Sequence, residues 1–479
     1  MDALLADLMD SALGHADYAD VRHVRSTTER IGTRNGAVDR IERADAEGVG
    51  VRVRVHGAWG FAAVRGAERA GAEAALARAL EVARAQPSGP ASPLADNIPA
   101  VGTHDAGLDG TDPFAVSLED KLEALLAADQ AMRVDPLVAV TEARFFAHRE
   151  ERTFASTDGA LCRQRLGECG GGITATATEG SETQVRSYPA SFRGQVSQAG
   201  YEHFAALELA AHAPRAGEEA AALLSAPPCP DERTTLVLDG EQLALQLHES
   251  VGHAVELDRV LGSETSYAGG SFVAPSDAGS LHYGSPLMNV TADATVPGGL
   301  GSFRWDDEGV PAQALPIVRD GVLRGFLSSR ESAARAGAAR SGGCMRASGF
   351  DRQPLVRMTN VNLEPGNAGS LDDLIASTDR GVYMETNRSW SIDSRRLQFQ
   401  FATELAREIR DGELGRLYRN PSYAGVTPEF WGGLDAVCSW GEWRLWSVLN
   451  CGKGEPGQSI RASHGTAPAR FRDVRVGVA

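Results

Sequence analysis

Lysine is almost missing from this chain. Among 47 Lys and Arg residues the lysines are Lys121 and Lys453 alone, and 64 acids leave a formal net charge of −17. So acidic a chain repels phosphate backbones, which argues against direct nucleic-acid binding. Apolar runs long enough to span a bilayer are also missing, so no membrane partner is expected. The segment Met1–Asp7 carries acids where a secretory signal would carry Lys or Arg, and the expected location is cytoplasmic. The six cysteines form no CxxC pair and keep no regular spacing. That excludes a disulfide framework and a zinc ribbon, and leaves reduced thiols that can serve a metal only singly.

What is present is the mix of a folded protein, 42% hydrophobic and 23% charged over 479 residues, more than one ordinary core can hold. The expected fold class is α+β with two domains. A helix-and-antiparallel-sheet unit covers residues 1–228 and a strand-rich unit covers 229–479, divided at the stiff Pro227-Pro228-Cys229-Pro230 break. The first helix is Asp2–Leu13. Short strands follow: Thr28–Arg34 and Ala37–Arg43 around the Asn35-Gly36 turn signal, then Val49–Val55 and Trp59–Val64. Val and Arg alternate in Val49–Val55, and this period of two predicts a buried valine face and a solvated arginine face. Further on come a helix over Glu68–Ala85, a linker over Gln86–Pro113, a helix over Ser117–Met132, a hairpin at Asp158-Gly159 and a long helix over Glu202–Leu224. Gly36, Gly48 and Gly57 recur 123 positions later as Gly159, Gly171 and Gly180. Both halves read as helix, four strands, helix, which suggests an internal duplication.

The chemistry concentrates after the break. Thr234–Leu238 reads as a buried strand, and Asp239 as the cap of the next helix, with Gln242 completing a capping box. That helix carries His248-Glu249-Ser250-Val251-Gly252-His253. Two imidazoles that bind one zinc must converge, yet histidines five apart point about 140° away from each other on a regular helix. The helix must therefore bulge or end between them, and Gly252 is suited to permit it. Glu249 adjoins a ligand and can polarise a metal-bound water. A third ligand must come from far along the chain. Cys451 stands out in Asn450-Cys451-Gly452-Lys453-Gly454, where the glycines predict a tight loop and the Lys453 ammonium favours a thiolate. Cys438 is the second choice.

These motifs resemble the TldD/TldE (PmbA) metallopeptidases, and specifically the TldD-like branch that keeps the histidine motif. Asp306-Asp307-Glu308-Gly309-Val310-Pro311, Arg357-Met358-Thr359-Asn360, Asp320–Leu323, Gly381–Tyr383, Gly48–Arg52 and Trp59–Ala62 resemble further stretches of that family. The resemblance implies zinc (Zn2+) held by His248, His253 and Cys451, with Glu249 as general base. It implies hydrolysis of peptides or unfolded polypeptides, and a dimer with a copy of the chain or a related TldE-like subunit. The residues inserted between Lys453 and Gln458 depart from the family pattern. His464 reads as a solvated loop histidine, with a polar group near the metal as the alternative. Tyr267, His282, Tyr283 and Arg357 are the candidates for stabilising an oxyanion. Asp306, Asp307 and Glu308 read as a charged turn, with a calcium-like site as the alternative. An extended substrate could add itself as a strand to an open sheet edge. The rival functions are a zinc hydrolase of small non-peptide amides and a regulatory or binding subunit of a peptidase complex.

Overall fold

The computed structural model describes residues 1–87, 93–191, 194–266 and 269–477. The chain opens with α1 (Asp2–Ala12), then β1 (Tyr18–Arg34), β2 (Ala37–Val55), β3 (Ala58–Arg65) and α2 (Arg69–Ala85). After β4 (Val101–Ala106) the order recurs as α3 (Leu118–Ala131), β5 (Val138–Ser156), β6 (Leu161–Glu179) and β7 (Glu182–Tyr188). A short β8 (Gln195–Ser197) and α4 (Tyr201–Ala206) precede α5 (Leu209–Ser225). All eight strands form one sheet, ordered β3-β2-β1-β5-β6-β4, with β7 and β8 also on β6.

Several expectations change here. The four short strands of the first half are three long ones, because β2 runs unbroken through Gly48. Gly48 is no turn residue: a Cβ there would lie 2.4 Å from the Phe350 ring. The stretch expected to be a plain linker contains β4, whose backbone groups pair in parallel with Leu161–Leu166 of β6. The long helix breaks in two at Glu208, where φ is +46°.

One face of the sheet carries the helices. Val21, Val49, Val51 and Val53 pack against Leu5, Leu8, Ala75 and Leu76 of α1 and α2. Phe145, Ile173 and Ala175 pack against Leu125 of α3 and Ala213 and Ala216 of α5. The opposite face was expected to be solvated arginine. Arg52 and Arg54 are instead buried, because the C-terminal half covers them. Arg52 reaches Asp20 at 2.6 Å and Glu308 at 3.1 Å.

The C-terminal half opens with β9 (Glu232–Leu238) and α6 (Gly240–Leu247). β9 lies between strands Arg380–Ile392 (parallel) and Ala469–Val476 (antiparallel). Strands Ser422–Val426 and Gln398–Arg410 complete a ring, since Gln398–Arg410 pairs back onto Arg380–Ile392. Phe399, Phe401, Tyr423, Phe430 and Phe471 fill this side of the core. A separate hairpin, Arg444–Lys453 with Gln458–Thr466, lies against α6. Among the described residues no helix is long and apolar enough to cross a membrane.

Candidate metal centre

α6 starts where β9 ends. The Asp239 carboxylate accepts the Gln242 N–H at 2.8 Å, which caps the helix. The Gln242 side chain does not complete the expected capping box; it donates to Tyr423 Oη at 2.7 Å. From His248 to Gly252 the helix widens into a π turn, and the His253 N–H donates to the His248 carbonyl five residues back. This is the bulge that the histidine spacing demands. Gly252 contributes in an unexpected way. Its φ of −52° is ordinary for a helix, but a Cβ would stand 2.1 Å from Met358 Sδ. Glycine is needed there for space, not for backbone freedom. Tyr283 Oη donates to the Ser250 carbonyl at 2.6 Å, and Trp431 Nε1 donates to Ser250 Oγ at 2.9 Å, so the irregular turn is held from outside.

The π turn brings the two imidazoles together, with ring centroids 4.8 Å apart and planes at 85°. Cys451 reaches them from the hairpin, its Sγ 3.5 Å from His253 Nε2. The three donor atoms all lie within 4.8 Å of one another and all three residues are buried. The expected loop around Cys451 is a strand, Arg444–Lys453, with a register shift between Val448 and Cys451. Cys438 is buried elsewhere in the core and is not part of the cluster.

A layer of polar groups orients these donors. His253 Nδ1 lies 3.0 Å from Glu256 Oε2, which also faces Lys453 Nζ at 3.3 Å and Arg259 Nε at 3.5 Å. Burial opposes charge on Glu256, but Lys453 and His253 outweigh it and hold the carboxyl well below its usual range. His253 therefore donates Nδ1–H to a carboxylate and turns its Nε2 lone pair toward the cluster. On the other side, His248 Nδ1 lies 2.7 Å from His464 Nε2. For His248 to offer Nε2 to a cation, its Nδ1–H must donate to His464, which then donates its own Nδ1–H to the Val361 carbonyl at 3.0 Å. The Val361 N–H lies 3.1 Å from the same His464 atom and serves the opposite tautomer. His464 is thus not the solvated loop residue expected; it is fully buried in strand Gln458–Thr466. Burial also lowers the His248 pKa to about 4, which keeps the ring neutral as a ligand must be.

The thiol follows the same logic with a different cation from the one expected. Burial disfavours its thiolate, yet His253 in its protonated form and Arg357 outweigh burial and lower its pKa; with His253 neutral as a ligand, Arg357 is the cation that remains. Lys453 turns away, to Asp258 Oδ1 at 2.8 Å and the Val356 carbonyl at 2.7 Å. Arg357 donates to the Cys451 carbonyl and so fixes the strand as well.

Glu249 faces a cleft of about 400 Å³ bordered by Trp390, Ile392, Arg396, Trp446 and Leu449. Its Oε2 lies 2.6 Å from Arg396 Nη1. Burial raises its pKa, but His253 and His248 in their protonated forms and Arg396 outweigh that and lower it; with both imidazoles neutral as ligands, Arg396 is the cation that remains beside the carboxylate, with Trp390 as a further hydrogen-bond partner. Sequence reading missed Arg396. It sits on the turn between two strands of the ring, with φ +64°, far from any recognisable motif. Its Nε, buried beside the cleft, has no hydrogen-bond partner among the described residues. Of the expected oxyanion candidates, Tyr283 is committed to Ser250, Arg357 to Cys451, and His282 is an exposed residue bridged to Val322. Tyr267 lies outside the described residues.

The acidic turn Asp306–Glu308 is no calcium-like site. Asp306 accepts the N–H groups of Glu308, Val310 and Met345 at 2.9, 2.9 and 3.0 Å. Asp307 takes Arg152 Nη1 at 2.6 Å and the Ala347 N–H at 2.7 Å, with Arg22 Nη1 at 3.5 Å. Glu308 takes Arg52 and the Arg330 N–H. The turn spends its acceptors on joining the C-terminal half to the N-terminal sheet.

Known proteins place this arrangement in context. Residues 231–478 match the PmbA/TldA metallopeptidase C-terminal domain, 19–85 match its domain 1 and 111–225 its central domain. A protein of Methanothermobacter thermautotrophicus named metalloprotease is 30% identical, covering 100% of this chain and 98% of its own length. A Saccharolobus solfataricus protein named zinc metalloprotease TldD homolog is 25% identical over 50% of this chain and 51% of its own. The crystal structure of TldE from Thermococcus kodakarensis shares the fold at a TM-score of 0.73 and 16% identity, over 99% of both chains. This chain belongs to the PmbA/TldD family of metallopeptidases.

Proposed function

We propose that the chain is a zinc-dependent peptidase that hydrolyses peptides or unfolded polypeptides. The observation that carries this reading is the convergence of His248, His253 and Cys451 beside a cleft that also holds Glu249. Two imidazole nitrogens and one thiolate form a donor set suited to zinc, with a further position left for water or substrate. Zinc bound there supplies Lewis acidity toward the scissile carbonyl and makes its water acidic near neutral pH.

The chain's own residues do the rest. Glu249 takes the proton of the attacking water and passes it to the leaving amine. Arg396 and Trp390 fix the orientation of its carboxylate. Arg396, which borders the cleft, is the residue we assign to the developing oxyanion, through a guanidinium N–H that it does not give to Glu249. The substrate lies extended between Trp390–Ile392 and Trp446–Gly452, which border the cleft. Among the described residues strand Arg444–Lys453 has one strand neighbour, Gln458–Thr466; on its other edge Gln195 takes the Leu445 carbonyl and the Ser447 N–H, so the stretch around Val448–Asn450 is the part that can take a peptide by backbone pairing. The active particle is a dimer with a copy of the chain or a TldE-like subunit, a reading supported by the shared fold of the T. kodakarensis TldE.

Digestion of unfolded protein and peptide pools, followed by mass spectrometry, tests the proposal. Cleavage by the zinc-loaded protein, abolished in Glu249→Ala with zinc retained, is the expected result. Turnover of small amides without any peptide product would replace this reading with the small-amide hydrolase.

A further inference from the structure

Leu449 is one of the residues that border the cleft. That residue, two positions before Cys451 on the same strand, also borders a second recess of about 270 Å³ lined by Arg30, Arg40, Arg144 and Arg461, with Asp39 as its one acid. Four guanidiniums in one small recess stand out on a chain whose net charge is −17. They come from three separate places: the tip of the long β1–β2 hairpin, the start of β5, and the strand that pairs with the one bearing Cys451.

We infer that this recess is a subsite for a carboxylate of the substrate, an acidic side chain or the C-terminal carboxylate of a peptide. The inference rests on the peptide reading of the cleft above. Three observations carry it. Leu449 borders both the recess and the metal cleft, so the two hollows lie side by side along the strand that bears Cys451. Arg461 is preset: Glu168, itself buried, grips its guanidinium with both oxygens, and the Phe146 ring lies 5.8 Å from its carbon. Arg30, Arg40 and Arg144 are each held through a single nitrogen to a partly exposed Glu42 or Glu142, at 3.3, 3.7 and 3.1 Å. Such exposed pairs are weak, and a guanidinium keeps further donors in a fork that matches a carboxylate. A substrate carboxylate can therefore join these pairs without breaking them.

Fluorescence anisotropy on the full-length, zinc-loaded Glu249→Gln protein tests this without cleavage of the probe. The probes are one labelled decapeptide with a single Glu moved along it, the same peptides with Gln in its place, and each with a free or amidated C-terminus. One carboxylate is expected to tighten Kd about tenfold at low salt, an advantage that high salt removes. A Glu→Gln effect at one position identifies the side chain as the source; an amidation effect identifies the terminus. Arg40→Gln with Arg144→Gln, at exposed positions, is expected to shrink the preference to within about twofold. Equal affinity for acidic and neutral peptides, or a preference unmoved by the double substitution, overturns the inference and leaves the peptide reading standing. Failure of every peptide to bind overturns the peptide reading, and this inference with it.

Discussion

Two buried polar clusters invite the same suspicion and differ in one respect. The acidic turn Asp306–Glu308 and the group His248–His253–Cys451 both set potential ligands side by side in the interior. In the turn, each carboxylate is occupied by backbone N–H groups or by Arg22, Arg52 and Arg152. At the histidines, the outer ring nitrogens are occupied and Nε2 of each ring can face the shared space with its lone pair. The density of polar groups is alike; what remains unspent is not. Unspent donors that converge distinguish a metal centre from a structural joint.

The comparison can be broken from either side. The largest effect is expected from His253→Ala or Cys451→Ala: bound zinc, measured by elemental analysis, falls from about one per chain to below about a tenth, and hydrolysis goes with it. Full zinc in Cys451→Ala would transfer the third ligand to another group. Next comes Glu249→Gln, which keeps the zinc and lowers kcat by a factor of about a thousand. On the other side, Asp307→Asn leaves zinc content unchanged. It costs about 3 kcal/mol in denaturant unfolding, because Arg22 and Arg152 lose a buried partner. Zinc loss in that variant would erase the distinction drawn here. A smaller change is expected from Glu256→Gln or His464→Ala, whose effect on zinc affinity is about 10- to 100-fold in a chelator competition.

The smallest effect concerns pH. Glu404 lies where the two halves meet and accepts both the N–H and the Oγ–H of Ser187. Burial raises its pKa from 4.5 to about 7, against the pull of Arg186. Its folded pKa lies above its unfolded one, so its contribution to stability is full below pH 4.5 and is lost as pH rises through 7. Glu404→Gln cannot lose that contribution. Its Tm relative to the native chain therefore climbs between pH 5 and 8, and a constant offset would contradict this assignment.

Much of this was legible in the sequence, for physical reasons that can be named. The spacing of His248 and His253 is incompatible with a regular helix, so the helix had to bulge or end between them, and it bulges as a π turn. Cys451, 198 residues after His253, stood out through its glycines and the nearby Lys453, with Cys438 as the second choice, and the family resemblance agreed with it. The misreadings share a cause: a sequence reveals periodicity and not what covers a face. Arg52 alternates like a surface residue, yet a second layer buries it. His464 sits among small polar residues, yet its strand packs against the metal centre. Arg396 belongs to no pattern at all and reaches Glu249 because the ring of strands closes there. The long helices of the N-terminal half, marked by apolar stripes, were read within a residue or two, except where Glu208 turns left-handed, whereas the short helices Leu257–Val260, Arg330–Arg335, Leu371–Ala376 and Thr427–Gly432 were not read.

X-ray absorption at the zinc edge puts the central claim to its most direct test. A first shell with two nitrogens at about 2.0–2.1 Å and one sulfur at about 2.3 Å is the result this account predicts. A shell of light atoms with no sulfur would contradict it.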